Sequence, residues 1–175
     1  AYVTLTQPHL PTLPNPGFAG KTGNGDWADM LAEMDANVGR VLDAADKAGV
    51  RDNTIFISTS DNGAAGRAYA PLRGAKTSIY EGGHRVPFLA RWPGKIKAGS
   101  TCDDTVCLND LIATSAEIVG SKLPDNAAED SVSILHDLLG HEAVRRLDAS
   151  LADLAGEAEV LAGRAAGAAV RVRAG

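Results

Sequence analysis

Residues 54–60, TIFISTS, run straight into Asp61, Asn62 and Gly63, and this junction constrains the chain more than any other stretch. The run is apolar and β-branched at its start, the pattern of a central strand buried on both faces. A strand that ends in a turn-forming polar cluster is where an α/β sheet places its ligands, because side chains at the carboxyl ends of parallel strands share a crevice. Upstream, Trp27, Met30, Leu31, Met34, Val38, Val41, Leu42 and Ala45 recur every three or four residues, which predicts an amphipathic helix over 26–48 with Gly49 as its stop. Downstream, 86–91 reads as a second buried strand closed by WPG. A helix is predicted over 111–119, with Asn109 or Asp110 as cap and Gly120 as stop. Helix, strand, loop, strand, helix in that order predicts an α/β layer architecture.

Between the strands, 63–85 has no clear periodicity and collects Gly with Arg67, Arg73, Lys76 and Arg85, so it reads as a loop. Loops beyond about 12–15 residues in compact domains are often functional. Residues 1–23 give a short strand-like run, 2–5, then a loop rich in Pro and Gly with His9 just after the strand. Beyond about residue 140 the composition changes: eleven of the last 35 residues are Ala, and no aromatic follows Trp92. There Val144, Leu147, Leu151, Leu154, Ala158 and Leu161 keep a 3,4 spacing, which reads as a solvated or frayed helix or, through its narrow apolar seam, as a helix for self-association. Gly156, Gly163 and Gly167 weaken its later turns.

Composition removes several functions. With 45% apolar and 22% charged residues the chain is neither disordered in character nor membrane-like, and no apolar run approaches the roughly 20 residues of a bilayer span. A net charge of -5 argues against nucleic acid as partner while leaving room for a local cationic pocket. Cys102 and Cys107, spaced C-x4-C, have no second pair to complete a tetrahedral metal site and read as thiols or a disulfide. The opening residues carry no signal peptide, and the compartment stays open.

Asp61 and Asn62 offer a carboxylate and an amide oxygen side by side, a pair of hard ligands for Ca²⁺ or Mg²⁺. Read locally they form an Asx turn equally well. Lys76 is, on the same terms, a solvated loop lysine and His9 an exposed histidine, although His is the usual carrier of protons near neutral pH.

Taken together the segments are more specific. QPHLPTLP, the helix ending in GVRDNT, IFISTSDNG, APLRGAKTSIYEGGHRVPFLARWPGKI and LNDLIATSAEIVG resemble, in order and spacing over about residues 1–140, the motifs of the sulfatase family. The resemblance implies part of an alkaline-phosphatase-like α/β sandwich, a mostly parallel sheet flanked by helices; the Ala-rich helical or frayed tail at 141–175 has no sulfatase resemblance. It implies hydrolysis of sulfate esters with a divalent cation, Ca²⁺ or alternatively Mg²⁺, and a formylglycine nucleophile. By resemblance Asp61 and Asn62 match metal ligands, His9 the histidine at the sulfate ester, and Lys76 the lysine on a sulfate oxygen. Arg73 is a further candidate for the anion. Glu81, Gly82, Gly83 and Arg85 match the family's EGGxRVP segment, for which a structural role is expected: a tight turn with Glu81 and Arg85 paired.

The family nucleophile arises in a C/S-x-P/A-x-R motif. Cys102 is followed by DDTV and Cys107 by LNDL, so neither fits, and the family's first Asp pair is also missing. The expectation is therefore a C-terminal portion of a sulfatase catalytic domain, inactive alone, whose full-length parent carries the formylglycine upstream and could be periplasmic or secreted. The alternatives are a phosphatase or phosphonate hydrolase of the same superfamily, or a non-catalytic interaction protein that keeps the half-fold.

Overall fold

The computed structural model describes residues 1–65 and 71–140 and the backbone of 171–174. Arg67 and the apolar seam of 144–161 lie outside the described residues. The chain divides into two compact units, Ala1–Thr54 and Ile55–Gly175.

The first unit is one long helix and the loop it pins. Helix α1, Asp26–Lys47, starts and stops within a residue of its periodicity. It ends in a Schellman motif: the Val50 amide donates to Ala45 O at 3.1 Å and the Gly49 amide to Asp46 O at 3.0 Å, with Gly49 at φ 68, a conformation glycine adopts without strain. Trp27, Met34, Val38 and Leu42 are half-buried and Met30 is buried, as an amphipathic stripe requires. The other two buried residues of the helix are acidic. Asp29 and Glu33, one turn apart on the same face, gather the preceding loop. Asp29 accepts the Gly20 amide at 2.6 Å, the Thr22 amide at 2.8 Å and the Thr22 hydroxyl at 2.6 Å. Glu33 accepts Gln7 Nε2 at 2.9 Å, the Asn15 amide at 3.0 Å and Asn15 Nδ2. The expected strand at 2–5 does not form; a strand is defined by its ladder, and these exposed residues pair with none among the described residues.

The second unit holds a sheet in the order β1-β2-β4-β3. Strands β1, Phe56–Thr59, and β2, Pro87–Arg91, fall where the sequence puts them and are neighbours, with Phe56 opposite Arg91 and Thr59 opposite Phe88. They run antiparallel. Strand β4, Arg171–Ala174, inserts parallel to β2, and β3, Thr101–Cys102, pairs antiparallel with β4. Two of the three ladders are thus antiparallel, which corrects the expectation of a mostly parallel sheet. A parallel neighbour requires a crossover, usually a helix of several turns, whereas among its described residues the β1–β2 connection contains the single turn α2, Glu81–His84. Strand β4 also corrects the expectation of a helical tail at those four residues.

Strand β1 is half-buried rather than buried on both faces, and β2 alternates, with Phe88 and Ala90 buried and Leu89 exposed. Phe88 and Ala90 join Val86, Ile96, Val106, Ile134 and Leu138 in the core of this unit. Helix α3, Asp110–Val119, ends at Gly120 in the left-handed conformation, as predicted. Its first residue acts as a clamp, because Asp110 accepts the Cys107 amide at 2.7 Å and the Val132 amide at 3.0 Å. Buried Thr114 accepts the Ile134 amide at 2.9 Å, which sets the following turn α4, Leu135–Leu139, so that Leu138 enters the core.

Candidate functional site

The site begins where β1 stops. Ser60 Oγ donates to Asn62 O at 3.2 Å, and Asn62 Nδ2 donates to Asp61 Oδ2 at 2.5 Å. The amide nitrogen is thereby turned onto the carboxylate. Asp61 Oδ1 and Asn62 Oδ1 accept no hydrogen bond among the described residues, so adjacent residues leave two hard oxygens available.

Against this turn the long loop is held almost entirely by backbone. The Gly63 amide donates to Gly83 O at 2.9 Å, the Gly82 amide to Arg73 O at 2.8 Å, the Gly83 amide to Tyr80 O at 2.7 Å and the Lys76 amide to Ala64 O at 3.2 Å. Such approaches leave no room for side chains. A Cβ at Gly63 would fall on Gly82 O, one at Gly82 on Gly74 O, and one at Gly83 on Ser78 O, all inside the shortest contacts real Cβ atoms make. The glycines of DNG, LRG and EGG therefore share one function, to let three stretches of backbone interlock. A tight turn at EGG was legible in the sequence. The interlock was not, since it needs residues some twenty positions apart.

The charges on the loop sort themselves. Glu81 takes Arg85, with the two side chains 3.3 Å apart and one helical turn between them, the pairing expected from the sequence. Arg73 lies with its guanidinium 3.6 Å from the centre of the Tyr80 ring. Neither Arg73 nor half-buried Lys76 has a carboxylate partner among the described residues. With its stem half-buried and no carboxylate on its ammonium, Lys76 keeps its charge available to an anion. Asp61, Asn62, Arg73 and Lys76 thus share one unit and one interlocked segment of it.

His9 belongs to the Ala1–Thr54 unit. It is exposed, and its Nδ1 lies 2.7 Å from Leu10 O. A carbonyl can only accept, so Nδ1 carries the hydrogen and the neutral ring keeps Nε2 as its free acceptor.

One group lies outside the residues singled out by sequence. Cys102 Sγ and carboxylate oxygens of Asp104 and Asp137 all fall within 4.8 Å of one another, and Cys102 donates to Asp104 Oδ2 at 3.5 Å. Only the fold could have revealed it, because α4 supplies Asp137. Burial pushes the Cys102 thiol above its ordinary range and the two carboxylates add to the rise; burial, then Asp110, does the same at Cys107. Both cysteines are free.

Comparison with known proteins agrees with these motifs. The sulfatase family profile matches residues 1–121. The chain is 35% identical over 160 residues to an N-acetylgalactosamine-6-O-sulfatase of Bacteroides thetaiotaomicron, covering 83% of this chain and 31% of that protein. It is also 35% identical over 151 residues to the steryl-sulfatase of Rattus norvegicus, covering 80% and 26% respectively. A solved structure from the study of multiple-glycosaminoglycan metabolism by Bacteroides thetaiotaomicron superposes with a TM-score of 0.65 at 35% identity, over 78% of this chain and 31% of that one. The chain belongs to the sulfatase family. It spans between about a quarter and a third of the length of these relatives. No described helix is long and apolar enough to cross a membrane.

Proposed function

We propose that this chain supplies the oxyanion-binding part, and half of the metal-binding part, of a sulfuric ester hydrolase site, and that it does not turn over substrate by itself. The observation that carries this reading is Lys76: half-buried, without a carboxylate partner among the described residues, and tied through its backbone to Ala64, just beyond Asp61 and Asn62. In this reading Lys76 binds a sulfuryl oxygen as a point charge, and Arg73 offers a second cation whose in-plane N–H donors suit an oxyanion. His9, with Nε2 as its open nitrogen, stands as the proton carrier for the ester oxygen.

Asp61 and Asn62 would hold the divalent cation. Their two open oxygens fit part of a hard-cation shell, although Ca²⁺ takes 6–8 oxygens and these two alone hold it weakly. When bound, the cation neutralises charge on the sulfuryl group. The formylglycine does not fit this chain. Neither Cys102 nor Cys107 stands in the motif from which it is made.

Sulfate titrated into the chain and followed by amide NMR tests the reading: the amides of 61–64 and 74–78 should shift in saturable fashion, and Lys76→Ala should remove the response. A response that survives Lys76→Ala, or none in the unmodified chain, overturns it. Preference for phosphate over sulfate would favour a phosphatase parent in the same superfamily.

A further inference from the structure

The placement of Tyr80 in the loop is explained by nothing above. The residue is 40% exposed and stands outside the hydrophobic core of its unit. Its hydroxyl makes no hydrogen bond among the described residues, and its close partner is the Arg73 guanidinium, 3.6 Å from the ring centre. The backbones of both residues are fixed by consecutive glycines, Arg73 O by the Gly82 amide at 2.8 Å and Tyr80 O by the Gly83 amide at 2.7 Å. Gly74 clears the space between them, since a Cβ there would come within 2.9 Å of Tyr80 Cβ. The stack is thus set by the interlocked backbone and not by a search of two side chains for one another.

We infer that Tyr80 is a positioning residue, holding the Arg73 guanidinium flat and extended so that its edge is presented to the oxyanion beside Lys76. The inference rests on the reading of Lys76 and Arg73 given above. Stacking engages the face of the guanidinium, whereas all five N–H donors lie in its plane, so no donor is consumed by the ring. Competition from the neighbouring acid is removed as well, because Glu81 is held by Arg85. A long, mobile arginine loses rotamer freedom when it grips an anion; one already laid on a ring loses less, and binds more tightly for the same contacts.

The test uses the whole chain and inorganic sulfate. Tyr80→Leu should weaken sulfate binding about two- to five-fold, the range of an exposed cation–π contact, while Tyr80→Phe, which keeps the face, should restore it. In an Arg73→Leu background, Tyr80→Leu should add nothing. The Arg73 Nε–Hε resonance should carry an upfield ring-current shift in the unmodified chain and in Tyr80→Phe, and lose it in Tyr80→Leu. If Arg73→Leu weakens binding and Tyr80→Leu does not, or if the two losses add, the positioning role is wrong and the sulfate reading survives. If Arg73→Leu has no effect while Lys76→Ala abolishes binding, Arg73 is not an anion ligand and this inference falls alone. If sulfate does not bind, both fall.

Discussion

Two loops of this chain are secured by opposite means. The loop of residues 7–22 hangs from two buried carboxylates of α1: Asp29 and Glu33 each accept three hydrogen bonds from it. The loop of residues 71–85 is secured by backbone donors and acceptors that meet through glycines, with no side-chain acid among the described residues holding it to the Asp61–Asn62 turn. The first arrangement is titratable and can be weakened one side chain at a time. The second has no charge to titrate and admits no Cβ, so it fails all at once or not at all. A cationic loop benefits from the second kind of anchor, because acids used to hold it would also neutralise Arg73 and Lys76.

The largest effect should come from filling the interlock. Gly82→Ala places a Cβ on a backbone carbonyl that cannot move aside, and should destabilise the Ile55–Gly175 unit by at least about 3 kcal/mol in urea unfolding. Gly94→Ala is the control: unlike Gly82 it sits at positive φ, 73, but its Cβ would meet open space, so it should cost only the backbone strain, about 1 kcal/mol. Equal losses at the two positions would show that the close approaches are not what the glycines serve.

A smaller loss is expected in the other loop. Glu33→Ala strands the Asn15 and Gln7 donors and should cost about 2 kcal/mol, the scale of hydrogen bonds to a charged group. The pH responses should differ as well. The hydrogen bond from the Thr22 hydroxyl, with the Thr22 and Gly20 amides, holds the Asp29 carboxyl below its ordinary value against the opposing effect of burial. Its contribution is therefore present above the unfolded carboxyl pKa and lost as pH falls through the depressed folded one. Protection of the Gly20 and Thr22 amides against exchange, relative to the free-peptide rate at the same pH, should fall in that acid range while that of Gly63 and Gly82 holds.

The smallest effect lies at the alkaline end. Cys102 and Cys107 have raised thiol pKa values, so their contribution is complete below the unfolded thiol pKa and lost as pH rises through the folded ones. Alkylation of both by iodoacetamide should run more slowly than that of an exposed thiol at pH 8, and speed up at higher pH than a free cysteine does.

How far the sequence could be read follows the same division. Helices α1 and α3 and strands β1 and β2 fall within about two residues of their patterns, since apolar spacing, Gly49 and Gly120 are local signals. The Glu81–Arg85 pair was legible because i and i+4 meet on one helical turn. The antiparallel pairing of β1 with β2, the insertion of β4 and the burial of Asp29 and Glu33 were not, because each depends on partners distant in sequence. An acidic pair inside an apolar stripe, after a loop of Gly, Thr and Asn, is the signal that could have found the last of these, and it was not read. The glycines were visible as glycines, but their reason for being there is three stretches of backbone in contact.

The central claim is that this chain binds and orients a sulfate ester without carrying the group that attacks it. Hydrolysis of a generic aryl sulfate by the purified chain, with Ca²⁺ in excess, tests it most directly. The rate should equal that of the Lys76→Ala and Asp61→Ala variants; turnover above those two controls would mean that the chain holds a nucleophile of its own, and would contradict the account.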